Sequence, residues 1–573
     1  MRATRTLTVV GRRWNVCARV GLFLAGLAAA ALLASCAAKP KPAEPRIPRE
    51  VELPAYLRDT VGEVARIAGR EPVAVQGFGF VTGLDGTGTK VVPPGIRQQV
   101  LNMMRRNKVE GAEEILANPN NAVVTVSGWV DPGATKGELF DLDVRAIPNT
   151  ETTSLEGGFV LECDLTRVEL DRGVESRSEA LALGRGSIFV APFAPEGQAK
   201  TAGDPRVGRI LAGGKALKTR HFRLALLSPS VRTADQIMRL VNARFPAAAT
   251  GSEDPGRVDL QVPKEFQADR THFLDLVGAL YMRETPDARD KRIRLLIDTL
   301  KAGKDMDRAA ICLEAFGPTL APQLHVLAED PSEPVRFYVG RTLAQLQDAR
   351  AVYVLERIAL DGNSKFQEQA VEALGKLRTG VGLGVLGRAL DVKSARVRVA
   401  AWQAMARLAP RTFTARTFAD KFALSVVATR GEPFIYVSRT LKPQIAVFGE
   451  VKVRPPVLAE TSRVTATVRE NEDQVTLISR RGGTDIRVRT SFDVTDMIAA
   501  LAAPMRRDEE PAAEKADAGA DGLDLGYSDV VGLLHAMSRK GALTGPIVLQ
   551  PLEYRILGDR PVARPITTRE DEP

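Results

Sequence analysis

Five columns of apolar residues recur every 31 residues between about 291 and 411. Leu324, Leu355 and Leu386 form one column, and Val335, Phe366 and Val397 a second. The same step links Val339, Ala370 and Ala401, then Leu343, Leu374 and Met405, then Leu346, Leu377 and Leu408. Within one unit, positions 335, 339, 343 and 346 advance by 4, 4 and 3, which sets them on one stripe of an α-helix. Asp330, Asp361 and Asp391 stand in the turn before each second helix. A helix pair of this size cannot bury its stripe alone, so the units must stack. A degenerate copy around Arg308 to Phe316 would cap that stack. A non-repetitive bundle has no reason to keep five columns in step, so an all-α repeat array is expected over 291–411.

The unit is shorter than the usual HEAT length but resembles short HEAT-like repeats. Tetratricopeptide and ankyrin arrays fit less well, because their Trp/Gly/Tyr and Thr-Pro-Leu-His marks are missing. On either side the texture is mixed, and the fold class expected is α+β, interrupted by the array. Before it, over 58–290, Val123–Val130 reads as a strand, and Phe140, Leu142, Val144 and Ala146 alternate like one. Phe222, Leu224 and Leu226 alternate too, as do Val258, Leu260 and Val262. A helix with Ile237, Leu240 and Val241 on one face is expected to open at Thr233, with Gln236 completing a capping box. After the array, over 412–503, strands are expected at 445–453, 464–468 and 475–479, then a helix through Val494, Met497, Ile498 and Leu501. Residues 504–525 are charged and rich in Ala, Pro and Gly, a flexible loop by composition. Over 526–556 a helix and then a strand are expected, the helix running through Val530, Leu533, Leu534 and Met537, capped by Ser528 and ended by Gly541, with a disordered tail over 557–573.

Arg2, Arg5, Arg12, Arg13 and Arg19 precede an acid-free apolar run, Val20 to Leu33. That run is shorter than the roughly 20 residues of a membrane span and suits a secretory signal over 1–35. Leu33-Ala34-Ser35-Cys36 resembles the bacterial lipobox, which implies lipid attachment at Cys36; Ala37 in place of an acid implies outer-membrane retention. A Pro-rich spacer follows over 36–57. The formal charge of +9 falls by five, to about +4, once the leader is set aside, so nothing here calls for nucleic acid. Cys163 and Cys312 remain after the leader; lone buried thiols are expected, with a pair between them left open.

The stretch 75–90, VQGFGFVTGLDGTGTK, invites a nucleotide-binding reading. A phosphate loop needs Lys directly after its last Gly, but Thr89 stands between Gly88 and Lys90, and Val91 replaces the metal-binding hydroxyl. The dinucleotide fingerprint fails as well, because Gly83 follows Gly77-x-Gly79 one residue late. His221, His272, His325 and His535 are scattered without ligand spacing. Gly184-Arg185-Gly186-Ser187-Ile188 only approximates a nucleophile elbow. Asp141 and Asp143 alternate on a strand and read as a solvated face. No enzyme, cofactor or metal is expected.

The glycine stretch resembles a different pattern. Together with Thr60–Gly69, the run Gln76-Gly77-Phe78-Gly79-Phe80-Val81-Thr82-Gly83-Leu84-Asp85-Gly86-Thr87-Gly88 is similar to the opening of the flagellar basal-body P-ring proteins. Asn121–Val126, Phe140–Val144 and Ser154-Leu155-Glu156-Gly157-Gly158 resemble further motifs of that family, in family order. Near the C-terminus, Gly449–Val453, Asp529–Met537 and Lys540–Leu543, which includes Gly541, are similar to its closing motifs. The resemblance covers roughly 58–290 and 440–555. Three features depart from the pattern: the lipobox, the inserted array with the 504–525 loop, and Glu460-Thr461-Ser462 near where His-Gly is expected.

The resemblance implies a homo-oligomeric periplasmic collar that works with the L ring as a bushing around the rod. It implies structural roles for the motif residues Gly77, Gly79, Gly83, Gly86, Gly88, Ser154, Gly157, Gly158, Gly449, Asp529 and Gly541. Those glycines would face the rod, a neighbouring subunit or their own core. The array would present a surface to an envelope or peptidoglycan factor, and lipid at Cys36 would tie the ring to a membrane. The alternative is a monomeric envelope lipoprotein that uses the HEAT-like repeats as a protein-binding adaptor.

Overall fold

The computed structural model describes residues 54–565 apart from 90, 107–109, 168–178, 194–202, 252–253, 255, 284, 379, 482–483, 506–521 and 558–559. The signal segment, Cys36, Lys90 and most of the 504–525 loop therefore lie outside the described residues. Tyr56–Pro573 form one compact unit; of the residues before it, only Pro54 and Ala55 are described.

The N-terminal part holds two β structures. After β1 (Ala65–Ala68) come β2 (Val73–Thr82), β3 (Ala122–Val130), β4 (Leu139–Ala146), β5 (Phe159–Arg167), β6 (Ala182–Ser187) and β7 (Val207–Ala216). β2 to β7 close into a barrel in the order β2-β3-β4-β7-β6-β5. Its core is aliphatic, built on Val75, Val81, Val124, Val126, Leu142, Val144, Val160 and Leu165, each buried. Closure removes the free edges that an open sheet would present. β8 (Phe222–Leu226), β9 (Ala249–Gly251) and β10 (Arg257–Leu260) join β1 in a second sheet, ordered β1-β8-β10-β9.

The helix packed on that sheet, Val231–Arg244, begins earlier than expected. Its cap is Ser230, whose Oγ accepts from Thr233 N at 3.3 Å, and Gln236 instead donates to Met282 O at 2.8 Å. The capping box is thus replaced by a single serine cap, because the chain turns helical at Val231 and leaves Thr233 inside the first turn.

Helices follow from Pro286 to Leu408, and the repeat columns turn inward. Leu324, Leu355 and Leu386 are fully buried, as are Ala370, Ala401, Leu343 and Leu374. Contacts at the repeat spacing tie one unit to the next. Arg378 N donates to Gln347 Oε1 at 2.9 Å, and Ser364 Oγ to Glu333 Oε1 at 2.8 Å. The three turn aspartates divide by position. Asp330 and Asp361 accept from Ser332 N and Asn363 N within their own loops, each at 2.9 Å. Asp391, at the end of the stack, accepts Arg430 N at 2.8 Å from the next part of the chain.

That next part contains β11 (Thr414–Phe418), β12 (Phe422–Val427), β13 (Phe434–Val437) and β14 (Gln444–Phe448), then β15 (Val457–Glu460), β16 (Val464–Val468), β17 (Val475–Arg481), β18 (Thr484–Thr490) and β19 (Ile547–Leu549). They form a mixed sheet, β11-β12-β14-β13-β19, and an antiparallel sheet, β15-β16-β17-β18. The helices Val494–Ala502 and Tyr527–Arg539 pack with them around one core. The strand expected at 445–453 stops at Phe448, because Gly449 turns left-handed at φ 69°. Ser528 is not the cap of the second helix. Gly526 is, with Asp529 Oδ2 accepting from Gly526 N at 3.1 Å. Within the tail expected to be disordered, β21 (Arg560–Pro565) pairs antiparallel with β20 (Leu552–Leu557), which falls where a strand was expected.

The array is joined to the mixed sheet through Arg398, which is 1% exposed. Its Nε donates to Leu390 O at 2.9 Å, Nη1 to Glu432 O at 2.7 Å and Nη2 to Thr429 Oγ1 at 3.0 Å. Its guanidinium also lies 4.7 Å from the centre of the Phe434 ring, a distance at which the ring face attracts the cation.

Candidate functional site: the glycine loops and their junctions

β2 carries the first half of the glycine motif across the seam where the barrel closes. It pairs with β3 on one side and β5 on the other, and its register with β5 shifts between Gln76 and Val81. Gly77 and Gly79 sit at that shift. A Cβ on Gly77 would lie 2.2 Å from Asp164 O, and one on Gly79 would lie 2.7 Å from Val126 Cγ2. The strands can cross this tightly only because no side chain stands between them.

The second half of the motif forms a loop over the barrel end. Leu84 N donates to Asn120 O, Gly88 N to Pro119 O and Thr89 N to Asn121 O, each at 2.9 Å. A Cβ on Gly88 would fall 2.0 Å from Asn121 O. Thr87 Oγ1 donates to Ser154 O at 2.9 Å, and Thr153 N to Thr87 O at 2.9 Å. The loop is thereby stitched to the Ser154–Gly158 turn, within which Ser154 Oγ accepts from Glu156 N at 3.1 Å and Gly158 N donates to Leu155 O at 3.1 Å. Two motifs that the resemblance had only set in order along the chain are thus neighbours in space. The N–H groups of Leu84, Thr87, Gly88 and Thr89 donate to carbonyl oxygens of the chain, whereas a phosphate cradle needs such groups aimed at a ligand.

A residue that sequence reasoning missed completes this corner. Arg463, in the turn between β15 and β16, reaches across to the loops. Its Nη2 lies 3.3 Å from both Gly83 O and Asp85 Oδ2. The guanidinium covers Gly157, where a Cβ would be 2.1 Å from Arg463 Cζ. Asp85 is 83% exposed, so the ion pair itself is worth little. Arg463→Ala should therefore cost about 1 kcal/mol, chiefly in lost packing. The check is urea unfolding of the purified chain.

A second junction overturns the solvated reading of Asp141 and Asp143. The two side chains are only 6% and 11% exposed, and Arg209, 10% exposed, lies between them. Arg209 Nη2 is 3.4 Å from Asp141 Oδ2, and Nε is 3.2 Å from Asp143 Oδ1. Asp141 Oδ1 accepts from Ala212 N and from Leu441 N, both at 2.8 Å, while Arg209 Nη1 donates to Arg439 O at 2.8 Å. The pair faces the 438–444 turn of the mixed sheet rather than water. Burial raises Asp141 above the usual carboxylate range, against the opposing pull of Arg209 and the two N–H donors.

The remaining motif residues stay apart from this corner. Gly449 N donates to Val427 O at 2.9 Å and ends β14, while Asp529 and Gly541 mark the two ends of the Tyr527–Arg539 helix. Gly86, by contrast, belongs to the loop itself but stands in open space, at φ 84°. Cys163 and Cys312 are separate buried thiols, and burial pushes them up to about 12 and about 11. Among the described residues no group of three or more His, Cys, Asp and Glu could hold a metal ion, and no helix is long and apolar enough to cross a membrane.

Comparison with known proteins matches the part of the chain that holds the barrel and the glycine loops. The family model described as flagellar P-ring protein matches residues 60–297. Over that span the chain is similar to the flagellar P-ring proteins. A HEAT-repeat model matches residues 296–375 and meets the P-ring match at the start of the array. A flagellar P-ring protein of Nitrobacter hamburgensis is 27% identical over 350 residues, spanning 58% of this chain and 87% of that protein. One from Rhodopseudomonas palustris is 27% identical over 305 residues, 50% of this chain and 77% of the relative. One from Anaeromyxobacter dehalogenans is 28% identical over 306 residues, 51% of this chain and 77% of the relative. The barrel, the seam glycines and the β1-β8-β10-β9 sheet all fall inside the P-ring match.

Proposed function

We propose that this chain is a structural subunit of the flagellar P ring, assembling with copies of itself into a periplasmic collar that acts with the L ring as a bushing around the rod. The observation that carries the reading is the P-ring match over 60–297, which contains the glycine signature and the barrel seam that Gly77 and Gly79 occupy. A bushing needs no reacting group. It needs stiff subunits and contacts that repeat head to tail until the ring closes. The closed barrel and the buried junctions at Arg209 and Arg398 supply the stiffness. Lipid at Cys36 would hold each subunit to the outer membrane, and many copies in a ring would make that attachment firm. The HEAT-like array would face an envelope or peptidoglycan factor.

Deletion of the gene tests the reading. Electron cryomicroscopy of isolated basal bodies should then show rods without periplasmic collars, and the cells should lose motility. Normal collars in the deletion strain would sink the proposal and leave the lipoprotein adaptor as the better account.

A further inference from the structure

We propose that the β15-β16-β17-β18 sheet continues from one copy of this chain into the next, with β18 of one subunit pairing with β15 of its neighbour. This rests on the ring reading above and specifies the contact that would close it.

β15 and β18 are the two outer strands of one antiparallel sheet. The Thr461 N to Val464 O bond, 2.9 Å, fixes which backbone groups face inward at the β15–β16 turn. Alternation along the antiparallel registers then carries the pattern across the sheet. It directs the N–H and C=O groups of Leu458 and Glu460 away from β16, and those of Arg487 and Arg489 away from β17. The side chains of all four are exposed, Leu458 to 53%.

Three features point to a second copy as the occupant. First, three antiparallel steps separate β15 from β18, so the two strands run in opposite directions. Copies set side by side in one orientation would therefore pair β18 with β15 in the antiparallel sense, and they would use two different surfaces, as a ring requires. Second, one register matches charge. Glu460 falls opposite Arg487, and Leu458 lies against the aliphatic stem of Arg489. Sliding two residues one way sets Glu460 against Asp485, and a one-residue slip reverses the faces. Third, Ile486 and Val488 point to the core side of β18 yet are only half-buried, whereas Val475 and Leu477 beside them are fully buried. A neighbour's β15 would cover them. In the single chain Lys540 Nζ donates to Leu458 O, holding one edge carbonyl where a strand would otherwise bond. That lysine blunts the edge until a partner replaces it.

The test is a disulfide placed across the junction in the full-length chain, expressed in its own bacterium. Residues opposite each other in such a pair have Cα atoms about 5.5 Å apart, within disulfide range. Cys163 and Cys312 are buried and do not compete. The double variant Glu460→Cys/Arg487→Cys should give a reductant-sensitive ladder of three or more copies under mild oxidation, while each single variant should stay monomeric. A charge test does not depend on the new thiols. Glu460→Arg should lose collars, and adding Arg487→Glu should restore them. A double-cysteine variant that stays monomeric in cells whose basal bodies carry collars overturns the strand pairing and leaves the ring reading intact. Failure of Arg487→Glu to restore collars lost by Glu460→Arg counts against the pairing in the same way. Absence of this protein from the collars of unaltered cells overturns the ring reading, and the pairing with it.

Discussion

Gly77→Ala is expected to destabilise the barrel by about 3 kcal/mol or more, well beyond the usual cost of a surface substitution. The added methyl would sit 2.2 Å from Asp164 O and 3.2 Å from Leu165 Cδ2. The first of these is backbone in β5, held by pairing to β2 on one side and β6 on the other, so it cannot swing aside. Relief requires the seam to open, and an open seam undoes the closure on which the barrel depends. Gly86→Ala is the matched control. It lies in the same motif, at φ 84°, with nothing within 4 Å of the added atom. Its cost is conformational only, about 1 kcal/mol. Urea unfolding of both variants, with hydrogen exchange of the β2 and β5 amides, separates the two. If Gly77→Ala and Gly86→Ala unfold alike, the glycines do not serve the seam.

That contrast shows what the amino-acid pattern could and could not say. The array was legible because its contacts are local and periodic: five columns at a 31-residue step specify helices, faces and stacking together. Strands 139–146 and 222–226 were legible from alternation for the same reason, and 123–130 from its apolar run. Barrel closure was not, because the pairing of β2 with β5 joins residues about 80 positions apart and leaves no short-range signal beyond the glycines themselves. Asp141 and Asp143 were misread because alternation on a strand reports a face, not what covers it. The cover here, the 438–444 turn, lies 300 residues away from Asp141 in the chain. Arg463 carried no mark at all, since an arginine in a two-residue turn is ordinary. The misplaced caps at Thr233 and Ser528 have a simpler cause. Both segments offer several capping residues within a few positions, and which one caps depends on where tertiary packing starts the helix.

Arg209→Met should be the most damaging single change at the barrel's junction with the mixed sheet, costing about 3–5 kcal/mol at neutral pH. Methionine fills much of the same space, so the loss is not mainly one of volume. It leaves Asp141 and Asp143 buried without their shared cation, and frees Arg439 O from its donor. The pH dependence distinguishes this cause from lost packing. In the native chain burial already holds Asp141 above its ordinary value of 3.8. A carboxyl raised on folding binds its proton more tightly in the folded state. Its favourable contribution is therefore complete below the ordinary value and is lost as pH rises through the folded value. Removing Arg209 takes away the main influence that opposed that rise, so Asp141 should move further up and take a proton at mildly acidic pH. Protonation neutralises the stranded charge, and the penalty of Arg209→Met should shrink between pH 7.5 and about pH 4.5. Urea midpoints of the native chain and the variant, compared at both pH values, measure that shrinkage. A penalty equal at both would assign the cost to the lost arginine stem and its bond to Arg439 O, and would mean that the two carboxylates find water at the junction once the cation is gone.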